Sequence, residues 1–125
     1  MISVTLMCLS LVAYYESRSD PFMDQVRVVE TVLNRAKHIP RYGGDVCVAA
    51  FSPAQYSSKL IPLHTPQDAA AWAVAQQATR TALILQAKGV DLSHGAVYFH
   101  NWHELGDRPR YHRKLLYKGK SHVWY

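Results

Sequence analysis

Glu16 is the residue of this chain best suited to acid chemistry. It follows an apolar stretch that begins at Ile2, and its neighbours Tyr14 and Tyr15 are aromatic. Aromatic and aliphatic surroundings disfavour the charged form of a carboxyl group, so such a glutamate can stay protonated near neutral pH and act as a general acid. Position alone does not establish this role, because a glutamate at the end of a helix is most often exposed to water.

Residues 100–104 form a second group with possible chemistry, His-Asn-Trp-His-Glu. This order matches neither of the common zinc-enzyme motifs, His-Glu-x-x-His and His-x-x-Glu-His. The segment also lies at the end of a β-prone run, where the spacing does not predict that the side chains face one ion. A zinc-dependent hydrolase therefore stays open as an alternative, and we predict no metal site.

The third group is basic. Six of the 14 Lys and Arg residues lie in segment 108–120, alongside Tyr111 and Tyr117. Basic residues interleaved with aromatic ones can bind phosphates and stack on bases, so a nucleic-acid-binding module is a second alternative. No helix-turn-helix, zinc-finger or RNA-recognition signature supports it. A solvated hairpin, or a surface that meets an anionic bacterial envelope, explains the same charges.

Hydrophobic spacing predicts the helices that position these groups. A first helix should end near Arg18 to Asp20, before Pro21. Asp20 is then the predicted N-cap of a second helix, with Pro21 at its first position, that runs to about Lys37 and stops at Pro40. Segment 41–63 is predicted to be a loop with a short helix near residues 45–50.

A third helix and a small sheet complete the prediction. The helix is alanine-rich, is capped by Thr65, extends to about Lys88 and closes at Gly89. Beyond it, segments 96–100, 115–117 and 122–124 favour strands, and the last two flank a Lys-Gly-Lys turn. We therefore predict one domain over residues 1–125, in the α+β class: mainly helical, with a small antiparallel sheet formed by the C-terminal third.

Composition excludes a disordered chain and leaves the partner open. Hydrophobic residues make up 49% of the 125 residues, charged residues 18%, and the net charge is +5. A basic protein favours polyanionic partners. Cys8 and Cys47 both lie in apolar stretches, which predicts two buried free thiols; a disulfide would require an oxidising compartment.

The N-terminal stretch resembles the apolar region of a signal peptide but lacks its flanks. No Lys or Arg precedes Ile2, and Glu16, Arg18 and Asp20 stand where a small-residue cleavage site would be needed. The stretch is also too short to span a bilayer. We predict a buried helix and no export signal.

Short motifs follow one another in a fixed order along the chain. They are Tyr-Tyr-Glu-Ser-Arg at 14–18, Gln-Val at 25–26, Val-Leu-Asn-Arg at 32–35, Val-Cys at 46–47, Phe-Ser-Pro-Ala-Gln-Tyr-Ser at 51–57, Gly-Ala-Val-Tyr-Phe-His-Asn at 95–101 and His-Val-Trp-Tyr at 122–125. This series resembles the SleB-type cell-wall hydrolase family, which includes spore-cortex-lytic enzymes and phage endolysins. Three departures bear on substrate detail: Ser17 stands where alanine is usual, no glycine follows Arg18, and Ser121 replaces the common residue before His122.

The resemblance implies a lysozyme-like fold and cleavage of the peptidoglycan strand between N-acetylmuramic acid and N-acetylglucosamine, with Glu16 as the catalytic acid. Ordinary glycoside hydrolysis uses two carboxylates. Asp20, as a helix cap, and Asp24, as a solvated acid favoured by the helix dipole, are weak partners. We therefore expect a lytic transglycosylase that leaves 1,6-anhydro ends. A hydrolytic muramidase and, further away, a zinc-dependent peptidoglycan amidase remain alternatives.

Further residues are expected to bind the glycan. Amide and hydroxyl groups in the predicted loop suit sugar hydroxyl and N-acetyl groups, and the C-terminal segments add aromatic and polar side chains. The expected substrate-binding residues are Gln55, Tyr56, Ser57, Tyr98, Asn101 and His122. Loop polarity, a half-buried strand tyrosine and a structural histidine are the corresponding alternatives.

The expected context is a phage or prophage endolysin. We expect a monomer that needs no cofactor, binds no nucleic acid, does not insert stably in a membrane, is made in the host cytoplasm, and reaches the thin wall of a Gram-negative host after release. A truncated or domesticated bacterial homologue would have the same sequence features.

Overall fold

Helices make up most of the residues that the structure describes, and a small sheet follows them near the C-terminus. The computed structural model describes residues 3–52 and 66–125. Its elements are α1 (Val4–Ser17), α2 (Phe22–His38), a 3-10 turn (Pro40–Tyr42), α3 (Val46–Phe51), α4 (Ala69–Ala87), β1 (Phe99–Asn101), α5 (Trp102–Leu105), β2 (Tyr117–Lys118) and β3 (His122–Trp124). The predicted α+β class, mainly helical with a small antiparallel sheet near the C-terminus, is confirmed.

Helix α1 is the centre of the helical layer. It contacts α2, α3 and α4, so it is apolar on several sides rather than along one stripe. Leu9, Val12 and Ala13 are fully buried. The predicted buried N-terminal helix is thus confirmed from Cys8 onward, whereas Val4 is 76% exposed. No helix in the described residues is long and apolar enough to cross a membrane.

Two helix starts differ from the prediction. Pro21, not Asp20, is the N-cap residue of α2, and no side chain caps that helix. Helix α4 begins at Ala69, where the side chain of Asp68 accepts a hydrogen bond from the backbone N–H of Ala71 at 3.0 Å. The predicted cap Thr65 lies outside the described residues. Asp20 was assigned to a cap because sequence alone gave it no other partner.

The sheet has the strand order β1-β3-β2, with both pairs antiparallel. Asn101 pairs with His122, and Phe99 pairs with Trp124. The predicted hairpin around the Lys-Gly-Lys turn is confirmed as β2 and β3. A Cβ at Gly119 would collide with Oδ2 of Asp24, so only glycine lets this turn approach α2 so closely.

Asp24 is not the solvated acid that the sequence predicts. It is 4% exposed, and its Oδ1 lies 2.8 Å from the guanidinium of Arg27. Its Oδ2 accepts a hydrogen bond from the backbone N–H of Lys120 at 3.3 Å. The residue therefore ties the hairpin to α2, a contact between distant segments that a local pattern does not contain.

The two cysteines form a disulfide, so the prediction of free thiols is wrong. Cys8 on α1 and Cys47 on α3 have Cα atoms 5.4 Å apart and lie 39 residues apart in sequence. Cys8 is buried and Cys47 is half-buried. Apolar surroundings predicted burial, but which side chains meet depends on how α3 packs on α1.

We expect loss of this disulfide to destabilise the protein without unfolding it. Replacing both cysteines by alanine releases a 39-residue loop in the unfolded chain, which should lower the free energy of unfolding by about 2–4 kcal/mol. Thermal unfolding monitored by circular dichroism measures the change. Dithiothreitol should lower the melting temperature of the unmodified protein and leave that of the double variant unchanged. Equal sensitivity to dithiothreitol in both proteins would contradict the assignment.

Candidate active site

Glu16 lies in the last turn of α1, at the wall of a cleft of about 600 Å³. Residues 14–20, at the end of α1 and in the turn that follows, form one side of the cleft. Gln67, Asn101 and Ser121 complete the lining from three other segments. The cleft thus gathers polar side chains around the half-buried Glu16.

Burial is the main influence on Glu16. It raises the pKa of the carboxyl group from 4.5 to about 7. The positive charge of His122, when protonated, opposes this rise, and the negative charge of Glu104 adds to it. Near neutral pH the group is therefore divided between its protonated and charged forms, which suits an acid that must give up a proton and regain it.

Asp20 and His122 form a buried pair beside this acid. Oδ2 of Asp20 lies 2.9 Å from Nδ1 of His122, and their side chains are 8% and 2% exposed. Burial would raise the pKa of Asp20, but hydrogen bonds from His122 and Ser121, together with the charges of His122 and Lys120, hold it below its ordinary value. Asp20 is therefore held as a carboxylate that is hydrogen-bonded to His122.

The turn that carries Asp20 is held by two side chains. Gln25, buried on α2, donates from Nε2 to the carbonyl oxygens of Arg18 at 3.4 Å and Asp20 at 3.2 Å. The hydroxyl of Tyr14 accepts from Arg18 at 2.7 Å and from the backbone N–H of Asp68 at 3.3 Å. These bonds fix the cleft edge to α2 and to the start of α4.

The structure brings some of the predicted binding residues to Glu16 and not others. Asn101 lines the cleft, and its Oδ1 accepts a hydrogen bond from the backbone N–H of His103. His122 lies beside Glu16 and is tied to Asp20. Tyr98 is on the opposite face of the sheet, outside the cleft lining. The predicted binding residues Gln55, Tyr56 and Ser57 lie outside the described residues.

The His-x-x-His-Glu segment has no zinc-site geometry. His100 is 1% exposed, and its ring nitrogens lie 2.6 Å from the hydroxyl of Tyr125 and 2.7 Å from the carbonyl oxygen of Gly106. His103 is exposed and stacks on Trp102 instead. Both nitrogens of His100 are therefore engaged within the protein, and the two histidines do not share a partner.

Sequence reasoning missed four residues of this site. Asp20 was assigned to a helix cap, and Gln67 and Ser121 carry no local signal because chain folding alone brings them to the cleft. Gln25 belongs to the Gln-Val motif, but the motif did not predict that its side chain holds the turn of Arg18 and Asp20. The resulting arrangement, one acid of raised pKa beside a carboxylate–histidine pair in a polar cleft, can protonate a leaving oxygen and stabilise the resulting carboxylate.

Comparison with known proteins bears on this arrangement. A family described as Cell Wall Hydrolase matches residues 19–125. Neither the curated proteins nor the solved structures include a match. Glu16 precedes the matched segment, so its role rests on the cleft geometry, whereas Asp20, Asn101 and His122 lie within the match. Because the match covers most of the chain, the protein belongs to the cell wall hydrolase family.

Proposed function

We propose that the protein cleaves the glycan strand of peptidoglycan between N-acetylmuramic acid and N-acetylglucosamine, with Glu16 as general acid. One observation carries the proposal: burial in an open polar cleft raises the pKa of Glu16 to about 7. Family membership makes the chain an enzyme of the cell wall, and peptidoglycan offers a glycosidic oxygen that needs a proton in order to leave.

The reaction that we propose is intramolecular transglycosylation. Glu16 donates its proton to the glycosidic oxygen as the bond to C1 of the muramic acid breaks. The Glu16 carboxylate then accepts the proton of the C6 hydroxyl of the same sugar, and the C6 oxygen bonds to C1. The product is a 1,6-anhydro ring and Glu16 is protonated again, so one residue serves as acid and base. Intramolecular attack has a large effective molarity and can outpace water.

The partners of Asp20 and Asp24, the two carboxylates next along the chain, support this route. Asp20 contacts His122, and Asp24 contacts Arg27 and the hairpin, so each has a partner within the protein. His122 is held by Asp20, and its charge lowers the pKa of Glu16, which favours the carboxylate that forms when the acid gives up its proton. We propose this as the role of the pair.

A hydrolytic muramidase is the second candidate. Asp20 lines the cleft and keeps a lowered pKa, as the second carboxylate of a glycosidase would. In that reaction Asp20 would activate a water molecule or stabilise the positive sugar intermediate. The two candidates share Glu16 and differ in their products.

We further propose that the enzyme is an endolysin acting in an oxidising compartment such as the bacterial periplasm. The Cys8–Cys47 disulfide supports that compartment, since cytosolic proteins rarely keep structural disulfides. The net charge of +5 suits an anionic wall. A coding region beside a holin-like membrane protein would support the endolysin role, whereas a sporulation locus would overturn it.

The variant Glu16→Gln keeps the shape of the side chain and removes its proton. We expect turbidity reduction of purified peptidoglycan to fall by at least about 100-fold, the usual cost of losing a general acid. Glu104→Gln is the matched control, because it removes an exposed carboxyl group that affects Glu16 only through its charge; it should stay active. Near-normal activity of a folded Glu16→Gln protein would reject this site.

Activity should fall as pH rises through the pKa of Glu16. With that pKa at about 7, each further pH unit removes most of the remaining protonated acid, so the rate should drop about tenfold per unit above the pKa. His122→Gln removes the charge that lowers the pKa of Glu16, and its basic limb should therefore move to higher pH. An unchanged limb in this variant would show that His122 does not act on Glu16 electrostatically.

Mass spectrometry of the digest separates the candidate reactions. We expect the released fragments to end in 1,6-anhydro-muramic acid, which is lighter by one water than the hydrated product. Fragments that all carry reducing muramic acid ends would establish the muramidase instead. Release of free stem peptides from intact glycan strands would exclude both.

A further inference from the structure

The face of the sheet that points away from Glu16 carries a second cluster of aromatic side chains. Tyr98 directly precedes β1 and Tyr125 directly follows β3. The two residues pair through their backbones, and their ring centroids lie 5.9 Å apart in a stacked arrangement. Tyr111, from the loop between α5 and β2, packs on Tyr98 with ring centroids 4.7 Å apart. Tyr111 is 56% exposed, so this ring offers a surface to solvent.

Arginines surround these rings. Arg110 lies over Tyr111 at 5.4 Å, and Arg113 lies over Tyr98 at 5.6 Å. Both arginines are exposed. We call Tyr98, Tyr111 and these arginines the tyrosine–arginine face.

The loop that carries Tyr111 is anchored by a chain of hydrogen bonds. The carbonyl oxygen of Gly106 can only accept, so Nε2 of His100 donates to it at 2.7 Å. Nδ1 of His100 then accepts from the hydroxyl of Tyr125 at 2.6 Å. The oxygen of that hydroxyl accepts in turn from the backbone N–H of Arg110. Both ends of segment 106–110 are therefore tied to the buried His100 and Tyr125.

The backbone beyond this anchor is held in a rarely used conformation. Tyr111 and His112 have φ angles of 60° and 55°, in the left-handed region, which tyrosine seldom adopts and histidine adopts more often. Such backbone persists only where surrounding contacts impose it, and it is common at ligand sites. Here it presents Tyr111 outward beside Arg110 and Arg113.

Charge is also concentrated in the segment that carries Tyr111, Arg110 and Arg113. Six basic residues lie in segment 108–120, which contains no Asp or Glu, whereas the remaining eight Lys and Arg are outnumbered by nine Asp and Glu. The net positive charge of the protein is therefore confined to one segment. Such a distribution favours one oriented contact with an anionic surface over general attraction.

We propose that the tyrosine–arginine face is a second, non-catalytic binding surface for carboxylate-bearing glycan, namely peptidoglycan strands away from the bond being cleaved. A sugar ring packs its apolar side on the exposed ring of Tyr111. Arg110 and Arg113 bind carboxylates of the stem peptides, for which the planar guanidinium is well suited. This assignment of the ligand rests on the proposed function.

Co-sedimentation with purified insoluble peptidoglycan tests the proposal, using Glu16→Gln protein so that the polymer is not degraded. The test variant adds Tyr111→Asn and Arg113→Gln; asparagine tolerates the left-handed backbone, and glutamine removes one charge. Two controls are matched: Arg80→Gln removes one charge from an exposed site on α4, and Tyr111→Phe keeps the ring. Turnover of a short soluble glycan fragment is measured with Glu16 intact.

We expect the test variant to bind peptidoglycan about tenfold more weakly. Both controls should bind as before, and turnover of the short fragment should be unchanged in all of them. Equal binding by the test variant and Arg80→Gln would overturn the proposal. A parallel co-sedimentation with vesicles containing phosphatidylglycerol tests a lipid ligand. If the test variant bound peptidoglycan as before and lost only its binding to these vesicles, the ligand would be a lipid phosphate and the proposal would be overturned. If the unmodified protein cleaves no fragment, the proposed function fails, while the binding comparison still decides whether this surface exists.

Discussion

The structure depends on keeping one carboxyl group out of water at the end of a helix. Glu16 is placed there by α1, whose apolar sides are covered by three other helices, and burial is the main cause that raises its pKa to about 7. An unpaired buried charge is costly, so the site also needs something that tolerates the carboxylate form. The Asp20–His122 pair supplies it, and Gln25 holds the turn that aligns that pair with Glu16.

The sheet has two uses because its two faces meet different surroundings. On one face Asn101 lines the cleft, and His122, paired with it across β1 and β3, contacts Asp20. On the other, Tyr98 and Tyr125 support the loop that carries Tyr111. The contact of Asp24 with the Gly119 turn fixes the hairpin against α2. The short sheet thus sets the position of His122 relative to Glu16, although it contributes only a small part of the core.

The sequence predicted what depends on local pattern and missed what depends on packing. Apolar spacing predicted α1, α2 and the hairpin, and the aromatic neighbours of Glu16 indicated an acid of raised pKa. The missed features are contacts between segments that are distant in sequence and meet only in the folded chain. They are the Cys8–Cys47 disulfide, the contact of Asp24 with the hairpin and the Asp20–His122 pair. Asp20 is the clearest example. A short polar side chain just before a helix can cap that helix or bond to a distant histidine, and the local sequence is the same in both cases.

Before any substrate binds, the fold holds Glu16 as an acid that titrates near neutral pH. A carbon-detected NMR titration of the glutamate side-chain carboxyl groups, with the Glu16→Gln protein used to assign the Glu16 signal, measures this directly. We expect the Glu16 resonance to titrate at about pH 7. A midpoint near the ordinary value of 4.5 would contradict it, since the acid would then be a carboxylate at the pH of the cell wall.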